Sequence, residues 1–222
     1  MAVSSLAATT KHPLRIMPLG ASVTYGVGSS TGNSYRQNLL DLLLQDGHQV
    51  NFVGRRQNGN FSNNHVEATS GYVISQIATA AREAAPLFLP NIVLVDAGTN
   101  NCNNGGAVPD AGKNVTSMIR DILSLSPGCT VVLATLLENK IAEQDACRVD
   151  VNRQYRELVS EFEKENAKVL LVDMRSQEGP TTQDLYDTRH PNDVGYRKMA
   201  VVWKGGVDEA LQRGLISAPV DV

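Results

Sequence analysis

Leu14-Arg15-Ile16-Met17-Pro18-Leu19 runs into Gly20-Ala21-Ser22-Val23-Thr24-Tyr25-Gly26. A mostly apolar run of strand length thus stops on a glycine and opens into a turn of small residues. Near-continuous apolarity over so few residues suits a strand covered on both faces, as in a parallel sheet. Outward from it the same unit recurs. Strands are expected at 14–19, 49–53, 91–95, 130–136 and 168–172. Between them, sets such as Tyr35/Leu39/Leu42/Leu43, Ile74/Ile77/Ala78/Ala81, Val115/Met118/Ile119/Ile122 and Val151/Tyr155/Leu158/Val159/Phe162 recur at helical spacing. A last stripe carries Tyr196, Met199, Ala200, Trp203, Val207 and Leu211. Strands alternating with helices predict an α/β fold, a five-stranded parallel sheet between two helical layers.

Composition agrees with one core. Of 222 residues, 42% are hydrophobic and 19% charged, enough to bury a sizeable interior. No repeat or linker divides the chain, so residues 13–222 are expected to form a single domain after a flexible tail at 1–12. No run approaches the roughly 18 apolar residues of a membrane helix. A formal charge of -3 provides no cationic surplus to hold a phosphate backbone. Membrane and nucleic acid are therefore not expected partners, and a monomer is. The first twelve residues have neither the positive start nor the apolar stretch of a signal peptide. Either the protein acts inside the cell, or a leader has been removed ahead of Met1. The sequons at Asn60 and Asn114 lean towards secretion.

In open parallel sheets ligands bind beyond the carboxyl ends of the strands, so the segments after each strand are where chemistry is sought. Ser22 sits two residues past Gly20, where a nucleophile could be presented. A hydroxyl needs a base, and without one Ser22 reads as a turn or capping serine. Among four histidines, His12 lies in the tail, His48 in a turn, and His65 in an Asn-rich loop. His190 follows the fifth strand with Asp187 three residues upstream. Pro191 and Asn192 oppose helix and suggest a turn there, in which the carboxylate could fix the imidazole tautomer; a surface Asp/His pair is the plainer alternative. After the third strand, Asn100 could offer an amide to an oxyanion, and Gly71, at the start of the second helix, a backbone N–H. Asparagine in a turn and Ser-Gly before a helix are also ordinary.

These four segments, taken in order, resemble the blocks of the SGNH hydrolases, also called GDSL-type esterases. Ser22 matches the first block, Gly71 the second, Asn100 the third, and Asp187 with His190 the last. The final block continues through Pro191, Asn192, Asp193, Gly195, Tyr196 and Met199. Ala21 and Asn101 depart from the pattern, each standing where the family usually has Asp. Gly20-Ala21-Ser22-Val23-Thr24 and Ala68-Thr69-Ser70-Gly71-Tyr72 are most like carbohydrate esterase family 3, the acetyl xylan esterases. The resemblance implies a flavodoxin-like three-layer fold and a serine esterase that needs no metal or organic cofactor. His190, oriented by Asp187, would activate Ser22, and Ser22, Gly71 and Asn100 would hold the oxyanion.

The resemblance implies acetylated carbohydrate such as xylan as the substrate, and the amide-rich loops at 57–64 and 100–106 suit a polyhydroxylated ligand better than a long acyl chain. Tyr25 and Tyr72 are candidate sugar contacts, whereas Trp203 belongs to an apolar stripe. A lipid esterase or lysophospholipase of the same family is the nearest alternative. A dinucleotide enzyme is suggested only by Gly26-Val27-Gly28 through Gly32, too far after the strand for a phosphate loop. A non-catalytic sugar-binding module would leave Asp187 and His190 without a purpose. Of the three cysteines, Cys102 follows the third strand and Cys147 falls in the loop expected after the fourth, on the same sheet edge. Cys129 precedes the fourth strand at the opposite edge. A Cys102–Cys147 disulfide with Cys129 free is the reading, one that fits secretion; three unpaired thiols in a cytosolic protein are the alternative.

Overall fold

The computed structural model describes residues 12–220, so the expected N-terminal tail lies outside the described residues apart from His12. One sheet carries the molecule. Strand β1 (Leu14–Gly20) pairs in parallel with β5 (Ile92–Asp96), β5 with β6 (Thr130–Ala134), and β6 with β7 (Val169–Val172). The other edge of β1 is shared. Its first half, from Leu14 to Ile16, pairs with β2 (Val50–Phe52), and its end, Leu19 and Gly20, pairs with β4 (His65–Ala68). A two-residue strand β3 (Arg56–Gln57) runs antiparallel on β4.

Among the described residues the sheet therefore has seven strands, not five, and one is antiparallel. The five expected strands are present. Because β2 is three residues long it covers only half of β1, and β4 covers the rest. The additional strands are short and partly polar, His65-Val66-Glu67-Ala68 and Arg56-Gln57, and so carry no strand-length apolar run.

Alternation along each strand sorts side chains into two cores, as a period of two requires. Met17, Leu19, Val93, Val95, Val131, Leu133 and Val169 face the layer of α3 (Ile74–Phe88), α4 (Ala111–Leu125) and α5 (Ala142–Lys164). Ile16, Ile92, Leu94, Val132, Leu170 and Val172 face α2 (Arg36–Gln45) and α6 (Asp193–Gln212). Trp203 is fully buried in the second core against Tyr35, the ring centroids 5.4 Å apart. A single-turn helix α1 (Ser22–Tyr25) follows β1 directly.

Cys147 lies within α5 rather than in a loop, since that helix begins at Ala142 with Glu143 and Asp145 in its first turn, where acidic groups favour the helix dipole. Cys102 and Cys147 are bonded, their α-carbons 5.6 Å apart, and Cys129 is a free, buried thiol whose pKa burial pushes up to about 12. The chain leaves β1 towards β2 and β4 on one side and returns to β5 on the other. The crevice between β1 and β5 is thus the topological switch point, where the ligand site of an open α/β sheet is expected.

Candidate active site

The first turn beyond β1 places Ser22 at the start of α1, almost fully buried at 3% exposure. From the far end of the chain, the segment between β7 and α6 folds back to meet it. Tyr186 N–H donates to the His190 carbonyl at 2.8 Å, and Asn192 N–H donates to that of Asp184 at 2.8 Å, so Asp187 and His190 occupy a closed loop. Asn192 then caps α6, its side-chain oxygen accepting from Val194 and Gly195 N–H. One Asp187 oxygen accepts the backbone N–H of Arg189 and of His190, both at 2.8 Å. The other lies 2.7 Å from His190 Nδ1, and His190 Nε2 lies 2.9 Å from Ser22 Oγ.

Partial burial opposes ionisation of Asp187, but the imidazole and the two backbone N–H groups outweigh it and hold the carboxyl at about 2. A permanent carboxylate therefore faces Nδ1, which fixes the ring as an Nδ1–H tautomer and leaves Nε2 as the acceptor for the serine hydroxyl. A hydroxyl, imidazole and carboxylate so linked can pass the hydroxyl proton to the ring and stabilise the resulting cation.

Gly71 sits in the turn from Thr69 to Tyr72, closed by Tyr72 N–H on the Thr69 carbonyl at 3.2 Å. Its φ of +88° is strained for any residue with a side chain, and the space at its Cα is open. Thr69 N–H reaches the Gly20 carbonyl, tying this turn to the end of β1. Among the described residues, neither the Ser22 nor the Gly71 N–H donates a hydrogen bond. Asn100 lies in a single 3-10 turn (Thr99–Cys102) after β5. Its amide donates to the Tyr72 carbonyl at 2.8 Å, which leaves the second N–H of that amide uncommitted.

The structure thus joins Ser22, Asp187 and His190 by direct contact, and Gly71 and Asn100 to each other through Tyr72. Tyr25 and Tyr72 are both half-buried; Tyr72 lines a groove of about 340 Å³ with Arg55, Ser75 and Gln76. The amide-rich loops are spent on the fold. Asn58 donates to the Tyr25 and Gly32 carbonyls, Asn60 pairs with Asn33, Asn63 holds both Val50 and Phe52, and Asn101 accepts from Ile74 N–H. They give no direct support for a sugar ligand. The glycine-rich stretch packs on the His190 loop. Gly28 has φ +89°, a Cβ there would come within 2.5 Å of the Pro191 carbonyl, and Tyr196 Oη donates to the Val27 carbonyl.

Buried charges below the site went unnoticed in the sequence. Asp96, at the end of β5, is 7% exposed, and among the described residues its carboxylate receives only a long 3.5 Å hydrogen bond from Thr24; burial raises its pKa to about 6 against the pull of Arg148. Arg36 is buried with its guanidinium on the carbonyls of Tyr25, Gly32, Asn58 and Asn64, so burial lowers its pKa to about 10. A lone arginine opening a helical stripe carries no sequence signal for such a role.

The model of the GDSL-like lipase/acylhydrolase family matches residues 19–198, a span that contains every residue of this site. The chain belongs to that family. A structural relative of this GDSL-like chain is a family 3 carbohydrate esterase from Clostridium thermocellum. Its TM-score is 0.79 at 26% identity, over 92% of this chain and 100% of the other. A carbohydrate esterase family 3 protein from Talaromyces cellulolyticus superposes with a TM-score of 0.77 over 90% and 99%; at 20% identity this likeness speaks for the fold alone. A multidomain esterase of Ruminococcus flavefaciens is 27% identical over 90% of this chain. This GDSL-like chain spans only 29% of that relative's length.

Proposed function

We propose that this chain is a serine carboxylic-ester hydrolase that removes acetyl and other short acyl groups from carbohydrate, acetylated xylan among them. The observation that carries the reaction class is the unbroken contact from Asp187 through His190 to Ser22 Oγ. His190 Nε2 takes the hydroxyl proton as Ser22 Oγ bonds to the ester carbonyl carbon, and the oxyanion is held by the N–H groups of Ser22 and Gly71 and by the Asn100 amide. The protonated ring gives its proton to the departing alkoxide as the ester C–O bond breaks. It next takes a proton from water as the water oxygen bonds to the acyl carbon, and returns that proton to Ser22 Oγ as the acyl–Oγ bond breaks and the acid leaves. Microscopic reversibility lets one base serve both halves, and no step calls for a cofactor.

The carbohydrate part of the proposal is supported by the Clostridium thermocellum family 3 relative. Secretion is supported by the Cys102–Cys147 bond, since disulfides persist in oxidising compartments. Acetate release from acetylated xylan, measured beside p-nitrophenyl esters of increasing acyl length, tests the substrate. Activity on the polymer and a rate falling from acetyl to octanoyl is expected. A preference rising with chain length would turn the assignment to a lipid esterase of the same family.

A further inference from the structure

Asn100 can serve an oxyanion only if its NH2 group, and not its oxygen, faces the serine. Nothing in the geometry of an asparagine alone decides this, because the two ends of a primary amide have the same shape. Here the Tyr72 carbonyl calls for the NH2 end on its side, and a line of side chains that crosses the site secures the oxygen end. Arg189, directly before His190, donates through its guanidinium to Asn103 Oδ1 at 2.5 Å. Asn103 Nδ2 donates to Asn100 Oδ1 at 3.0 Å, and Asn100 Nδ2 donates to the Tyr72 carbonyl at 2.8 Å.

The two ends of this line are unambiguous, since a guanidinium only donates and a backbone carbonyl only accepts. Of the ways to turn the two amides between them, one alone satisfies all three contacts. It is the arrangement that keeps the Asn100 oxygen on Asn103 and leaves an N–H of Asn100 for a ligand. The backbone of the segment is anchored independently of these side chains. Gln144 donates to the Asn103 carbonyl at 2.5 Å, and the neighbouring Cys102 is bonded to Cys147.

We propose that Arg189 and Asn103 are positioning residues that, together with the Tyr72 carbonyl, hold the polarity of the Asn100 amide and thereby arm the oxyanion site, a role that rests on the reading of Asn100 given above. Asn103→Asp isolates the effect. The carboxylate keeps the bond from Arg189 but cannot donate, so it sets an acceptor against the Asn100 oxygen; the amide then either keeps that repulsion or turns and sets its oxygen against the Tyr72 carbonyl, and in both cases its N–H is no longer held firmly for a ligand. Arg189→Met releases the donor end of the line and leaves Asn103 free to rotate.

The experiment measures kcat and KM on p-nitrophenyl acetate for each variant, alone and combined with Asn100→Ala, with Tm recorded for all. Because removing one oxyanion donor costs about 10²–10³ in kcat, misdirecting it should cost a sizeable part of that: roughly 30-fold for Asn103→Asp and about 5-fold for Arg189→Met, with KM changed less than about 3-fold. Combined with Asn100→Ala, each should lower kcat by less than about 2-fold further, since the group they act through is gone. Full losses persisting in the Asn100→Ala background would overturn this proposal alone. So would a rise in KM at unchanged kcat, which would make Arg189 a substrate contact. An Asn100→Ala enzyme that keeps its kcat would overturn the oxyanion assignment, and this proposal with it.

Discussion

Breaking the Cys102–Cys147 bond should weaken the whole domain and the site together. The bond closes 45 residues of chain and ties the 3-10 turn that bears Asn100 to α5. In the unfolded chain, a loop of that length removes about 13 cal/mol/K of chain entropy, or roughly 4 kcal/mol at 25 °C. For a domain of this size, with an unfolding entropy of roughly 0.47 kcal/mol/K, that corresponds to a fall in Tm of about 9 °C. Cys102→Ala combined with Cys147→Ala is the perturbation, and guanidinium unfolding with calorimetry is the assay. Loss of the anchored turn should also lower kcat on p-nitrophenyl acetate more than it raises KM, because the Asn100 amide would no longer be held in place. Titration of the denatured, unreduced wild type should find the one thiol of Cys129. A destabilisation below about 1 kcal/mol, or three reactive thiols, would refute the reasoning.

Asn100→Ala should lower kcat by about 10²–10³ with little change in KM, as expected of a donor used mainly in the transition state; steady-state kinetics decides it. Asp187→Asn should lower kcat by about 10⁴ while leaving the fold intact, because the ring loses the carboxylate that fixes its tautomer. In the wild type Asp187 stays ionised down to about pH 2, so loss of activity between pH 4 and 6 would not come from its protonation. Asp96 is the opposite case. Burial raises its folded pKa from 3.8 to about 6. The unfolded chain therefore releases that proton first, and stability declines as pH rises from about 4 to 6. Measured by urea unfolding, the advantage of Asp96→Asn over wild type should grow by up to ~3 kcal/mol between pH 4 and pH 8.

The layers and the parallel strands were legible because strands covered on both faces are written as short apolar runs, and their helices as 3.6-residue stripes. The paired edge of β1 was not. His65-Val66-Glu67-Ala68 forms a strand because β2 is too short to cover Leu19 and Gly20, a fact of pairing rather than of local pattern. Ser22, Gly71, Asn100, Asp187 and His190 stood out by sitting just past element ends, which the sheet brings to one edge. Arg189 and Asn103 did not, since a contact across 86 residues leaves no local trace. The internal partners of the amides at 57–64 were hidden for the same reason: composition gives no sign that these side chains bond to the protein's own carbonyls, to a backbone N–H and to another amide.

The most direct test is the reactivity of Ser22. An active-site-directed phosphonate should label the native enzyme at one residue, Ser22, and abolish ester hydrolysis in proportion to labelling. Ser22→Ala should take up none and should lose several orders of magnitude in kcat with its Tm preserved. Labelling elsewhere, or a Ser22→Ala enzyme retaining a tenth of the wild-type rate, would contradict the account at its centre.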